Sequence, residues 1–349
     1  MHKPFEVEGL AMKAMDIRGQ APGGKRTKLA EVLPLATPLV VQMFPIYACN
    51  FTCEYCFHAV PRKERGFVSD WPIMKIDLYK KCIDELALFG DQLKVLRFVG
   101  MGEPLLHKNI AEMVAYAVSR NVALRVELLT NGSLLTHQMS DKLIAAGLSR
   151  LVVSLQGISK DKYRRISKVE IDFENFVANI EYFYRQKTGT HVYIKIVDYA
   201  LDEVDTEQKF YEIFGNLCDS IAIENAVPIM PGVDYEKVLK TSGGNATQFG
   251  LPLSSIQVCP QPFFTMQINP DGKVVPCYQI SYPAIMGDAN HQTLREIWNG
   301  DAYRSLRRAM LNGRSTANDV CAGCNFIQFR LFPEDDLQEA AERLKGVYQ

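Results

Sequence analysis

Cys49, Cys53 and Cys56 share one short stretch, with three residues between the first pair and two between the second. Thiolates held that close converge on a single point, which suits a metal ion or an iron–sulfur cluster. A cubane cluster has four iron corners, so three protein ligands leave one iron open for a substrate or cofactor. The same logic separates catalytic from closed structural zinc sites. If the ion were structural zinc, His58 is the nearby candidate for a fourth ligand. A second set, Cys259, Cys277, Cys321 and Cys324, can close a site with four thiolates, as a cubane cluster or as structural zinc. Of the nine cysteines, Cys82 and Cys218 are left over. Cys82 falls on the apolar stripe of a helical pattern and reads as core.

These residues need elements to hold them. The first cysteine loop follows directly on the apolar run Leu39–Phe44, so it sits at the carboxyl end of a first strand, where α/β folds put their chemistry. Five further strand patterns follow: Lys94–Val99, Ala123–Leu129, Arg150–Leu155, His191–Val197 and Ser220–Glu224. Helical periodicity marks Ile76–Gly90, Asn109–Ser119, Thr136–Ala146, Glu174–Arg185 and Asp205–Asn216. Such alternation predicts an α/β fold with a parallel sheet and helices outside it. Polar groups recur at the strand ends: Gly100-Met101-Gly102-Glu103-Pro104 after the second, Thr130-Asn131-Gly132 after the third, Ser154-Leu155-Gln156-Gly157 after the fourth and Glu224 at the sixth. Glycine lets backbone approach a ligand closely, and a carboxylate there can accept hydrogen bonds from an ammonium. Lys195 and Tyr193 share a face of the fifth strand, which makes Lys195 a candidate base. From Asn225 the pattern breaks into a Pro/Gly-rich linker. Phe263–Ile268 and Lys273–Pro276 then flank Asn269-Pro270-Asp271-Gly272 as a β-hairpin that brings Cys259 towards Cys277. A helix over about Thr293–Leu311, the Cys321/Cys324 pair and a final amphipathic helix, Glu334–Leu344, complete the chain.

The three-cysteine spacing after a first strand, with the aromatic Tyr55 just before the last cysteine, resembles the radical S-adenosylmethionine (SAM) superfamily. That resemblance implies a partial (β/α)6 barrel whose [4Fe–4S] cluster binds SAM through its open iron. Reductive cleavage there gives a 5′-deoxyadenosyl radical that abstracts hydrogen from a substrate. It also implies SAM contacts from Tyr55, from Gly102 and Glu103 to the methionyl amine, from Thr130, Asn131, Ser154 and Gln156 to the carboxylate and ribose, and from Glu224 near the adenine. Many relatives have Asp where Gln156 stands; Gln can still hydrogen-bond a ribose but carries no charge. The later cysteines, with Gly287-Asp288 and Leu294-x-Glu296-Ile297-Trp298, resemble the shortened SPASM module called the twitch domain. This implies one auxiliary [4Fe–4S] cluster that accepts an electron. Cysteine number and spacing are close to the family's aminocyclitol dehydrogenases. The expected organisation is 1–38 lead-in, 39–225 barrel, 226–258 linker, 259–330 auxiliary domain and 331–349 C-terminal helix, with the lead-in irregular and partly flexible.

Composition sets the remaining bounds. Apolar residues make up 47% and charged residues 23%, with a net charge of −1, so no basic footprint for nucleic acid is present. No apolar run reaches a membrane span, and nine cysteines argue for metal or redox chemistry in a reducing cytoplasm. The expected function is a radical SAM oxidoreductase acting on a hydroxyl-bearing small molecule, a sugar or aminocyclitol, with a flavodoxin- or ferredoxin-type electron donor. An epimerase would need a thiol hydrogen donor, for which Cys218 is the candidate, although it falls at the amino end of its strand. A peptide-modifying enzyme is the other enzymatic reading, and the 38-residue lead-in is too short for a leader-binding domain. An iron–sulfur electron carrier or a zinc-stabilised binding protein are the non-enzymatic ones.

Overall fold

A computed structural model describes residues 12–65, 72–238 and 245–348. Its strands, in chain order, are β1 Met15–Asp16, β2 Val40–Met43, β3 Val95–Phe98, β4 Val126–Thr130, β5 Arg150–Leu155, β6 His191–Val197, β7 Ser220–Glu224, β8 Thr265–Ile268, β9 Lys273–Val275 and β10 Gly287–Asp288. They form one sheet in the order β1-β7-β6-β5-β4-β3-β2-β8-β9-β10. From β2 to β7 every neighbouring pair is parallel and consecutive in sequence, as six βα units require.

Two-residue alternation in these strands sorts the side chains. Val41, Met43, Leu96, Phe98, Leu128, Leu151, Val153, Ile194 and Ile196 are all buried and join one core with the helices Ile76–Leu86, Ile110–Ser119, His137–Ala145 and Phe173–Gln186. The intervening residues, among them Gln42, Arg97, Glu127, Arg150, Tyr193 and Lys195, line an interior cavity instead. The barrel interior is therefore mixed, with charged and polar side chains beside apolar ones such as Val40, Leu129 and Val152, while the helix-facing side is apolar.

Several expectations need correction. The lead-in is not merely irregular: β1 pairs in parallel with β7, and the short helix Leu29–Val32 buries Leu29 and Leu33 in a second core. The helix expected over Thr293–Leu311 breaks into Leu294–Trp298 and Asp301–Leu311 at Asn299-Gly300. The buried residues shift phase there, from Leu294, Ile297 and Trp298 to Tyr303, Leu306 and Met310, because the step from Trp298 to Tyr303 is five residues. The helix expected over Glu334–Leu344 is a 3-10 turn, Pro333–Asp335, followed by a helix at Ala341–Val347. A helix at Lys160–Ser167, capped by Ser159, had too few apolar residues to register. The hairpin is present as β8 and β9, but β8 also pairs in parallel with β2, with Val40, Val41, Gln42 and Met43 opposite Thr265, Met266, Gln267 and Ile268. The C-terminal module thus extends the barrel sheet.

Candidate active site

β2 delivers the chain into the Cys49–Cys56 loop, which neighbouring elements then pin. Thr52 and Glu54 donate backbone N–H groups to Ser167 and Ile166 at 3.0 Å. Phe51 packs edge-on against Tyr163, with centroids 6.0 Å apart. Cys49 and Cys56 line the cavity and Cys53 is buried beside them. Burial pushes all three thiols up, Cys49 to about 11, and the neighbouring thiols add to the effect at Cys49 and Cys53. A thiolate is stable in that setting only against a cationic metal, so the donor set fits a metal centre. Among the described residues no three Cys, His, Asp or Glu side chains converge tightly enough to hold a single ion. A cubane places each thiolate on a separate iron corner and needs a wider triangle. His58 does not complete a zinc site: its ring nitrogens engage the Met101 carbonyl and Arg65.

The Gly100–Glu103 loop closes on this one. A Cβ on Gly102 would lie 2.4 Å from the carbonyl oxygens of Ile46 and Ala48, and the Glu103 N–H donates to Ala48 at 2.9 Å. Gly100 has φ +149°, and a Cβ there would meet the Phe44 ring at 2.9 Å. Glu103 is 2% exposed, and its carboxylate accepts from Thr130 Oγ1 (2.7 Å), the Asn131 N–H (2.7 Å) and the Leu105 N–H (2.9 Å). Burial outweighs these bonds and pushes its carboxyl up to about 7. A ligand ammonium would have to share that carboxylate with three protein donors. The Asn131 amide continues the chain of contacts to Asn50 in the cysteine loop at 2.9 Å. Gly102, Glu103, Thr130 and Asn131 therefore meet at one place, with Gly102 on the cavity wall.

Further round the barrel, the Gln156 amide donates to the Ser154 carbonyl at 2.8 Å, and its own buried carbonyl has no hydrogen-bond partner. Tyr55 stands edge-on to Tyr199, with centroids 6.4 Å apart. Glu224 accepts from Lys195 Nζ at 2.6 Å, Gln248 Nε2 at 2.6 Å and Tyr193 Oη at 3.1 Å. Burial opposes ionisation of Glu224, but the Lys195 charge and these donors carry its pKa below the ordinary value. Lys195 is thus one half of an ion pair in the cavity wall. Cys218 lies elsewhere: fully buried at the amino end of β7, its thiol donates to the Phe214 carbonyl at 3.3 Å. Cys82 is likewise buried in the core.

The later cysteines also come together. Cys259 precedes the helix Gln261–Phe264, Cys277 follows β9, and Cys321 and Cys324 flank the end of the helix Asp319–Ala322. Burial raises the Cys259, Cys277 and Cys321 thiols, Cys277 to about 12, and the Cys277, Cys324 and Cys321 charges add to the effect at Cys259. Asn318 caps the Cys321 N–H at 2.9 Å, and Arg314 donates to the Cys324 carbonyl at 2.6 Å. Tyr278, next to Cys277, reaches the barrel cavity and packs edge-on to Phe326 at 4.7 Å.

One cavity of about 730 Å³ connects these parts, from Cys49 and Cys56 through the barrel interior to Tyr278. Sequence reasoning missed Arg97, Arg125, Glu127 and Arg150 in its wall. Each is a charge at an alternating strand position, a pattern that a solvent-facing residue shows equally.

Residues 43–207 match the radical SAM superfamily, and residues 259–325 match SPASM, an iron–sulfur cluster-binding domain. The protein is a radical SAM enzyme. Its later cysteines lie in a SPASM-type domain, so its cofactors are SAM, a SAM-binding [4Fe–4S] cluster and auxiliary iron–sulfur chemistry. The chain is 25% identical over 325 residues to the AdoMet-dependent heme synthase of Methanosarcina barkeri, covering 79% of this chain and 88% of that one. It is 24% identical over 281 residues to the S-adenosyl-L-methionine-dependent 2-deoxy-scyllo-inosamine dehydrogenase of Niallia circulans, covering 80% and 89%. Among solved structures, BtrN in complex with AdoMet and 2-DOIA aligns with a TM-score of 0.52 at 20% identity, over 82% of this chain and 92% of BtrN. SuiB of Streptococcus suis bound to precursor peptide SuiA aligns with a TM-score of 0.60 at 16% identity, over 86% and 73%. These structural likenesses establish the fold alone. Among the described residues no helix is long and apolar enough to cross a membrane.

Proposed function

We propose that the protein is a radical SAM dehydrogenase of a hydroxyl-bearing small molecule, working in a reducing cytoplasm with a flavodoxin- or ferredoxin-type electron donor. The observation that carries this reading is the single cavity bordered by Cys49 and Cys56, by the Lys195–Glu224 pair and by Tyr278 beside Cys277. Cys49, Cys53 and Cys56 would hold the SAM-binding cluster, and Cys259, Cys277, Cys321 and Cys324 an auxiliary one. When bound, these groups supply a hydrogen-abstracting radical and an electron acceptor. The chain's own residues do the rest. Gly102 lets its own loop pack directly on the cysteine-loop backbone, while Glu103 fixes Asn131 and the cysteine loop relative to each other. Oxidation of a carbinol releases a hydroxyl proton, and a base must lie within hydrogen-bond reach. Glu224, kept ionised by Lys195, receives it in this reading.

The test is anaerobic reconstitution with SAM, reductant and candidate alcohols deuterated at the carbinol carbon. Label in 5′-deoxyadenosine together with a ketone product supports dehydrogenation. Solvent hydrogen at that carbon without ketone replaces it with epimerisation, and label transfer only from peptides replaces the substrate class. Lys195→Met, which lets the buried Glu224 take up a proton and so removes the base, should lower kcat by a factor of about 10²–10⁴ while sparing the SAM-induced change in the reduced cluster spectrum.

A further inference from the structure

Inside the barrel, one carboxylate faces three guanidinium groups. Glu127 is 0% exposed and stands 2.7 Å from Arg97 Nε, 2.6 Å from Arg125 Nε and 3.3 Å from Arg150 Nη1. All four residues line the cavity. A structural ion pair needs one cation for one anion; here two positive charges remain in a partly dry interior, where an unpaired charge is costly. Arg125 also donates to the Gly23 carbonyl at the lower mouth of the barrel. Arg150 is 4% exposed, is held over the Tyr193 ring at 4.9 Å, and its buried Nε has no hydrogen-bond partner. The imbalance extends along the cavity, whose lining carries eight Lys and Arg side chains against three carboxylates, although the chain as a whole has net charge −1.

We propose that Arg97 and Arg150 form an oxyanion subsite, and that the substrate carries a phosphate or carboxylate bound there with its reacting carbon towards the Gly100–Gly102 loop. The planar fork of a guanidinium matches both anions bidentately, and two such groups around a half-shared carboxylate leave donors for one more anion. Arg97 lies three residues before Gly100 on β3, so roughly 10 Å of strand separates the anion-holding layer from the loop. A molecule with an acidic end and a hydroxyl end spans that interval. An amine-bearing aminocyclitol meets the wrong sign of charge. This inference rests on the reading above that the cavity is the substrate chamber.

The experiment uses the holoprotein under anaerobic conditions. Binding of pyrophosphate and of citrate is measured by calorimetry and by the thermal shift that a ligand of the folded state produces, with myo-inositol and putrescine as neutral and cationic controls. Saturable binding of pyrophosphate alone assigns a phosphate, and of citrate alone a carboxylate. Arg150→Gln should weaken the bound anion at least tenfold, and Glu127→Gln, which removes the competing carboxylate, should tighten it. Arg97→Lys, which keeps the charge and loses the fork, provides the same readout if Arg150→Gln does not fold. The proposal is overturned if neither anion binds, if both arginine variants bind as wild type does, or if putrescine binds better than the anions. It is also overturned if Arg150→Gln abolishes the SAM-induced change in the reduced cluster's spectrum, which would assign the arginines to SAM. Absence of that spectral change in the wild type would instead sink the proposed function and leave the anion titration to stand alone.

Discussion

Gly102 has no room for a methyl group, because the Ile46 and Ala48 carbonyl oxygens stand 2.4 Å from the point where it would go. Gly102→Ala must therefore push the cysteine loop aside. We expect iron in the anaerobically purified protein to fall from about eight towards about four per chain, with the loss confined to the SAM-binding cluster. Cys277→Ala should give a similar count with the opposite loss, and a SAM titration of the reduced protein tells the two apart. Glu127 supports a second prediction. Burial alone would raise its carboxyl, yet the Arg97, Arg125 and Arg150 charges hold it down at about 2. A depressed carboxylate stabilises the fold fully above its unfolded value, and that contribution is lost as pH falls from about 4.5 to about 2. Glu127→Gln should destabilise the neutral protein by roughly 3–5 kcal/mol by leaving buried arginines unpaired. It should also flatten the acid limb of stability against pH in urea denaturation. The cysteines were legible in the sequence because metal chemistry demands a residue type at a spacing. Glu127 and its arginines were not, because an isolated charge in a strand has the same local pattern whether it faces solvent or a barrel interior.

The six βα units could be read from alternating periodicities, since each strand and helix reports its own buried face. The β2–β8 pairing could not, because parallel pairing between segments more than two hundred residues apart leaves no local trace. Its energetic consequence is testable. Met266 on β8 is 0% exposed and shares a core with Val41, Phe98 and Leu128. Met266→Ala should cost about 2–5 kcal/mol, and the barrel and the SPASM-type module should lose structure together in one transition. Two separated transitions by circular dichroism and by iron–sulfur absorbance would contradict a common sheet. The broken helix at Asn299-Gly300 makes the converse point. Leu294, Ile297 and Trp298 before the break and Tyr303, Leu306 and Met310 after it each keep helical spacing, but the five-residue step from Trp298 to Tyr303 moves the apolar stripe to another face, and Gly300 falls in that step.

At the scale of the molecule, residues 22–27 and 332–335 meet under the cavity. Residues 22–27 line its lower mouth, Arg26 pairs with the buried Asp335, and the Arg26 guanidinium lies 4.3 Å from the centre of the Phe332 ring. Asp335→Asn removes the charge that fixes this closure. Trypsin cleavage after Lys25 and Arg26 should then quicken roughly fivefold, the effect of about 1 kcal/mol of easier local opening, as read by mass spectrometry of timed digests. The continuous sheet has one more consequence. The strand that launches Cys49, Cys53 and Cys56 is hydrogen-bonded along its whole length to the strand that opens the later hairpin. The gap between the two redox centres is set by a stiff ladder with no hinge in it. Anyone wishing to transplant the C-terminal module onto another barrel must carry β2 with it, because a cut between the two severs a row of backbone bonds rather than a tether.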